Sequence, residues 1–251
     1  MLKREKDPMG QAILDFATTG KAGRLRVLSS QFDEDSIDVP YLFRSFDEMP
    51  ALEQRALSEA SGRVLDIGAG AGCHSLVLQE RGLDVTSVDI SPLSCEAMKL
   101  RGLRDVRCLD VLREDVCADG GADGDAGGGA DGCAGYDTIL MLMNGTGIAG
   151  TLDALPQMLH TVAGFLAPGG RILIDSSDLS YLYDDDSFDD AEPYIGEVDY
   201  RMIYKKVRGE AFPWLYCDYA RLEAAASFAG LHCRLLQQGD HYDYLAEVTQ
   251  K

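Results

Sequence analysis

The stretch Val64-Leu65-Asp66-Ile67-Gly68-Ala69-Gly70-Ala71-Gly72 constrains this chain more than any other. A short apolar run meets an acid, passes into glycines at alternate positions and opens a helical pattern over 73–81. Glycine has no Cβ, so such a turn folds back tightly and lets its backbone approach a ligand. The helix that follows offers unpaired N–H groups at its start. Strand, glycine turn and helix form the opening βα unit of a parallel sheet, and ligands of such sheets bind beyond the carboxyl ends of the strands.

The unit then repeats. Further strands are expected at 84–89, 106–109, 138–143 and 171–175, with helices at 91–99 and 151–166. Ser91-Pro92 caps one helix, and Pro168-Gly169-Gly170 closes another. This alternation implies right-handed crossovers and an α/β, doubly wound sheet with helices on both faces. Beyond it, 197–207 and 211–217 read as a hairpin, able to pair across a dimer or to extend its own sheet. A helix at 220–230 and strands at 232–239 and 243–249 close the chain.

Ahead of the sheet, residues 8–19 read as an amphipathic helix with Pro8 at its start. Residues 31–38 read as an acidic loop, and Val39–Phe43 as extended, because a residue before proline avoids the α region. Ser45 and Glu48 have capping-box spacing and are expected to open a helix to about Ala60. The expected division is an N-terminal helical extension or lid, 1–60, and a main domain, 61–251. The main domain would carry a flexible Gly/Asp-rich insertion at 112–135 and an acidic aromatic insertion at 179–217.

Charge bears on partners through its placement. The 42 acidic residues outnumber 23 basic ones, but residues 114–137 and 181–200 hold seven and eight acids with no Lys or Arg. The remainder is close to neutral, and nothing favours a nucleic-acid partner, which needs cations against phosphates. The longest apolar run, 139–143, is too short to span a bilayer, and the charged start leads into no signal-like apolar stretch. Seven cysteines lack metal-ligand spacing, so no metal site is expected and the thiols read as free, in a cytoplasmic setting.

The glycine turn narrows the ligand. A dinucleotide fingerprint needs Gly or Ala at its third position, and counting from Gly68 or Gly70 lands on Cys73 or Ser75. Asp66, two residues before the first glycine, would repel a pyrophosphate but suits an ammonium. Asp89 ends the second strand, where a carboxylate accepts both hydroxyls of a ribose. Asp110 follows the third strand and can accept from an adenine amino group.

With these acids in register, the chain resembles the class I methyltransferases that use S-adenosylmethionine (SAM). Asp66, Gly68, Gly70 and Gly72 match that family's first motif, Asp89 its ribose acid and Asp110 its adenine-side acid. The segments YLFRSFDEMP, DIGAGAGCHSL, MLMNGTGI and IDSSD together look like an uncharacterised group of bacterial methyltransferase-domain proteins. The resemblance implies a Rossmann-like seven-stranded sheet with an antiparallel last strand. It implies SAM as cofactor, held by Asp66, Gly68, Ala69, Gly70, Gly72, Asp89, Ile90, Asp110, Val111 and Asn144. It also implies methyl transfer to a small-molecule acceptor by in-line displacement. Transfer of an aminopropyl group from a decarboxylated donor, or SAM binding without turnover as a sensor or partner subunit, remain open at this level.

A general base is needed only if the acceptor must lose a proton. Candidates are Asn144 beside the methyl site, His74 after the glycines and Asp178 past the fifth strand; His241 and Tyr242 read as structural. Tyr181, Tyr183, Phe188, Tyr194 and Tyr200 lie among eight acids, and with 39–50 they suggest an aromatic, anionic lid suited to an amine.

Overall fold

The computed structural model describes residues 1–116, 135–182 and 194–251. The chain opens with α1 (Pro8–Thr19), β1 (Leu25–Leu28), β2 (Asp35–Ile37), two short 3-10 helices and α2 (Ala51–Glu59). It continues with β3 (Arg63–Ile67), α3 (Cys73–Glu80), β4 (Asp84–Asp89), α4 (Pro92–Leu100), β5 (Asp105–Cys108) and β6 (Tyr136–Met141). Next come α5 (Leu155–Ala163), β7 (Leu166–Ser177), β8 (Glu197–Tyr204), β9 (Val207–Arg208) and β10 (Phe212–Leu215). Last are α6 (Tyr219–Phe228), β11 (Leu231–Gln238) and β12 (Asp243–Gln250).

Seven strands form the central sheet in the order β11-β12-β7-β6-β3-β4-β5. β5, β4, β3, β6 and β7 pair in parallel, whereas β12 runs antiparallel to both β7 and β11. The last strand is therefore the one reversed member. Alternate strand residues serve opposite faces, as the pleat dictates. Leu65, Ile139 and Ile172 pack under α5 and α6 with Met158, Val162 and Leu222. Val64, Leu140 and Leu173 pack on the other face with Leu57 of α2 and Leu78 of α3. Among the described residues, no helix is long and apolar enough to cross a membrane.

A second, antiparallel sheet runs β10-β8-β1-β2, with β9 on β8. β1 pairs with β8 (Leu25 opposite Tyr204), so the N-terminal extension and the late hairpin make one sheet. The hairpin extends its own chain's sheet, and the extension is not purely helical. α1 meets α4 through Ile13 and Ala97.

Local expectations fail where proline chemistry was misjudged. Val39–Phe43 is a 3-10 helix, with Pro40 in its first turn, where a missing N–H costs nothing. The Ser45–Glu48 capping box forms, but it closes one 3-10 turn because Pro50 holds Met49 extended. The helix restarts at Ala51. The strand expected at 171–175 is longer, beginning at Leu166, with a register shift between Tyr136 and Thr138 opposite. Most of the Gly/Asp-rich insertion, and Tyr183 and Phe188, lie outside the described residues.

Candidate active site

The parallel strands end at a common edge, where the sequence-predicted residues collect. Gly68, Gly70 and Gly72 all have positive φ (72°, 57° and 79°), a region costly for other residues. They serve different ends. A Cβ on Gly72 would stand 2.5 Å from Leu103 Cδ1, so this glycine is needed for packing. A Cβ on Gly68 would make only ordinary contact with Ile148 Cδ1 at 3.5 Å, and one on Gly70 only with Gly68 O at 3.9 Å, so neither glycine is required by close packing.

The turn's amides are already committed. Gly68 and Ala69 donate to Val88 O at 2.9 and 3.0 Å, and Gly70 donates to Asp89 Oδ2 at 2.8 Å. A pyrophosphate would need such amides as donors. The structure thus adds a second reason against a dinucleotide.

Asp89 also accepts Ser91 N at 2.8 Å through Oδ1. Burial pushes its carboxyl up to about 6, against the pull of those two amide bonds. Ile90, next in the chain, is 40% exposed, an apolar surface at the sheet edge. Asp110 accepts Leu112 N at 3.1 Å, and Arg113 lies 3.4 Å away. Val111 is buried in the core, and its exposed apolar neighbour is Leu112. Asp66 is buried, with Oδ2 accepting from Ser75 Oγ at 2.6 Å, and burial raises its pKa. It braces the start of α3 from beneath the turn.

The three catalytic candidates are tied to the scaffold. Asn144 donates through Nδ2 to Leu215 O at 3.0 Å and accepts Ser176 Oγ at 2.7 Å, so both ends of its amide are engaged. Asp178 accepts Ser180 N at 2.8 Å, a turn cap. His74 is buried, 2.7 Å from Glu53 Oε2. Burial opposes its charge, but hydrogen bonds with Cys73 and Glu53 outweigh it and the pKa rises to about 10. An imidazolium at neutral pH has no lone pair, which speaks against His74 as a base.

Sequence reasoning missed Asp175, Arg44 and Glu53 here and placed Tyr242 among the structural residues. Asp175, in β7, accepts the amides of Met143, Asn144 and Gly145. It carries the same signal as Asp89, an acid near a strand's carboxyl end. Arg44 and Glu53 form a buried ion pair that reaches His74, and their spacing gave no local sign. Tyr242, read as structural, is 61% exposed and stacks on Tyr181 at 4.5 Å between ring centroids. An open polar concavity at the opposite edge, lined by Asp137, Arg171 and Glu247, lies away from all these groups.

The chain matches the model of the methyltransferase domain family over residues 41–221. It is similar along its whole length, at 49% identity, to a SAM-dependent methyltransferase from Bacteroides fragilis solved with S-adenosyl-L-homocysteine (97% of that chain covered, TM-score 0.88). This chain belongs to the SAM-dependent methyltransferases. Two more distant structures share the fold with this methyltransferase. The sugar N-methyltransferase KedS8 from Streptoalloteichus sp ATCC 53650 is 17% identical, with 89% of this chain and 98% of that chain covered and a TM-score of 0.56. The CcbJ methyltransferase from Streptomyces caelestis is 15% identical, with 82% and 94% covered and a TM-score of 0.56. No curated protein sequence matches the chain. The residues present fit SAM, the methyltransferase's methyl donor: the glycine backbone is bare where a ligand would lie, and the turn's amides are not reserved for phosphate.

Proposed function

We propose that this methyltransferase acts on a small-molecule amine at the carboxyl edge of β6 and β7, beside Tyr181 and Tyr242. The exposed Tyr181–Tyr242 stack is the observation that carries this reading. Asp243 of β12 pairs with Ser177 of β7, so the stack stands at the same edge as the glycine turn. Asp178 donates its amide to Tyr242 O at 2.9 Å, which keeps a carboxylate close to the rings. Aromatic faces and a carboxylate together attract a cation or an amine.

Gly68, Ala69, Gly70, Gly72, Asp89, Ile90, Asp110 and Val111 form the cofactor side in this reading, with Asp66 bracing the turn and Asn144 bracing the loop after β6. Bound SAM supplies a methyl group already activated on a sulfonium. The chain's own task is to hold the acceptor close and aligned, an effect worth about 7–11 kcal/mol when orientation is good. The shared sheet of β1, β2 and β8–β10 supports treating residues 1–60 and the late hairpin as one roof over that edge. Free thiols at Cys73, Cys95, Cys108, Cys217 and Cys233 support a cytoplasmic setting.

The test is release of S-adenosylhomocysteine from SAM with a panel of small amines, alcohols and carboxylic acids. Turnover with amines supports the reading. Turnover confined to alcohols or acids rejects the amine.

A further inference from the structure

Leu2 and Asp7 of the N-terminal extension grip the loop that follows β4. Leu2 N donates to Ile90 O at 3.0 Å. Asp7, the N-cap of α1, accepts Gly10 N at 2.9 Å through Oδ1 and Ser91 Oγ at 2.5 Å through Oδ2. Ser91 in turn caps α4 by accepting Ser94 N at 2.9 Å, and its own amide donates to Asp89 Oδ1 at 2.8 Å. Asp7, Ser91 and Asp89 are all buried, so one serine links two buried carboxyl groups.

Helix propensity is given up for this contact. Gly10 lies buried within α1, and glycine is disfavoured in a helix. Its φ is not positive, so its backbone does not call for glycine. A Cβ there would stand 2.3 Å from both Asp7 Oδ2 and Ser91 Oγ, so the missing side chain is what lets these two groups meet. Elsewhere α1 meets α4 through apolar contact, Ile13 against Ala97. Such contacts join two helices without the cost of burying a carboxyl group. The Asp7–Ser91 bond therefore does something that packing alone would not require.

What it does is visible at Asp89. Each oxygen of that carboxylate accepts one amide, Gly70 N on Oδ2 and Ser91 N on Oδ1. A carboxylate oxygen has room for a second donor, so each keeps one position for a ligand. The Ser91 amide sets the direction of that position, and Asp7 sets Ser91. We propose that Asp7 is a positioning residue for the cofactor ribose: through Ser91 it fixes the rotation of the Asp89 carboxylate, so that its two oxygens meet the two ribose hydroxyls. Gly10 belongs to the same device, because it admits the Asp7–Ser91 bond. The proposal rests on Asp89 as the ribose acid for bound SAM and is independent of the methyl acceptor.

The test is calorimetric titration of the full chain with S-adenosylhomocysteine and with its dideoxyribose analogue, which lacks both ribose hydroxyls. It is run at about pH 8, where a carboxyl that burial raises only to about 6 is ionised with or without Asp7 beside it. The wild type is expected to bind S-adenosylhomocysteine at least about 10-fold more tightly than the analogue, the scale of a charge-assisted hydrogen bond. Asp7→Ser keeps a good N-cap but has no second oxygen for Ser91. It is expected to remove most of that preference by weakening S-adenosylhomocysteine alone. Gly10→Ala, as a second variant, improves the helix propensity of α1 and is expected to lose the same preference. A preference that survives in either folded variant, or a loss that falls equally on both ligands, overturns the proposal and leaves Asp89 as the ribose acid. Equal wild-type affinity for the two ligands overturns the proposal and that role of Asp89 together.

Discussion

The backbone amide of Asn144 donates to Asp175 Oδ1 at 2.7 Å. Met143 and Gly145 add amides to the same carboxylate, each at 3.2 Å. Met143 and Asn144 both have left-handed backbones (φ 64° and 65°), so consecutive non-glycine residues are held in a costly conformation by one side chain. Asp175→Ala should lower stability by about 2–3 kcal/mol, read as a shift of the urea midpoint. It should reduce methyl transfer, because in the proposed reading the loop it locks flanks the acceptor. Unchanged turnover in the variant would deny the loop that role.

The glycines separate packing from binding. Gly72→Ala would drive a Cβ to 2.5 Å from Leu103 Cδ1 and 3.1 Å from Met98 Cγ. Its expected cost is about 2–3 kcal/mol in thermal or urea unfolding. Gly70→Ala meets only Gly68 O, at an ordinary 3.9 Å, and should cost only the left-handed penalty of about 1–2 kcal/mol. It should nevertheless weaken S-adenosylhomocysteine binding more than its stability loss suggests. Gly72→Ala with wild-type stability would contradict this division.

Burial lifts Asp89 and Asp175 from an ordinary 3.8 to about 6 each. The folded state then holds these protons more tightly than the unfolded chain. Their stabilising contribution is complete below pH 3.8 and is lost as pH rises through about 6. Asp89→Asn has no such proton to lose, so between pH 4 and 7 its urea midpoint should fall less, or rise more, than that of the wild type. Parallel curves for the two proteins would place the titration elsewhere.

Tyr242 has φ 61°, a strained backbone for an aromatic residue, and its ring is largely exposed. Tyr242→Gly relieves the strain while removing the ring. The melting temperature should hold or rise, while the acceptor KM increases about 5–10-fold, the worth of one cation–π contact. A KM that stays at the wild-type value would remove the stack from the acceptor site.

The central sheet was legible because its signals are local. Apolar runs ending in acids and glycines marked β3 and β4, and Ser91-Pro92 marked α4. The second sheet was not, because its strands owe their pairing to partners far along the chain: Arg26 lies opposite Ser36 on one side and Ile203 on the other. Asp35–Ile37 sits in an acidic stretch, and Arg26 reaches neighbouring Glu34 at 2.5 Å. In the site, Asp89 and the glycines were readable from motif and spacing. The Arg44–Glu53–His74 cluster was not, since three ordinary surface-type residues become a buried ionic group only when the extension folds onto α3.

Calorimetric titration with S-adenosylhomocysteine, in parallel for the wild type and Asp89→Ala, tests the account most directly. The cofactor side rests on Asp89, which ties the glycine turn to β4 through Gly70. The wild type should bind, NAD should not, and Asp89→Ala should weaken binding at least about 10-fold while remaining folded. Undiminished binding by Asp89→Ala, or binding of NAD in place of S-adenosylhomocysteine, would contradict the placement of the cofactor at this edge.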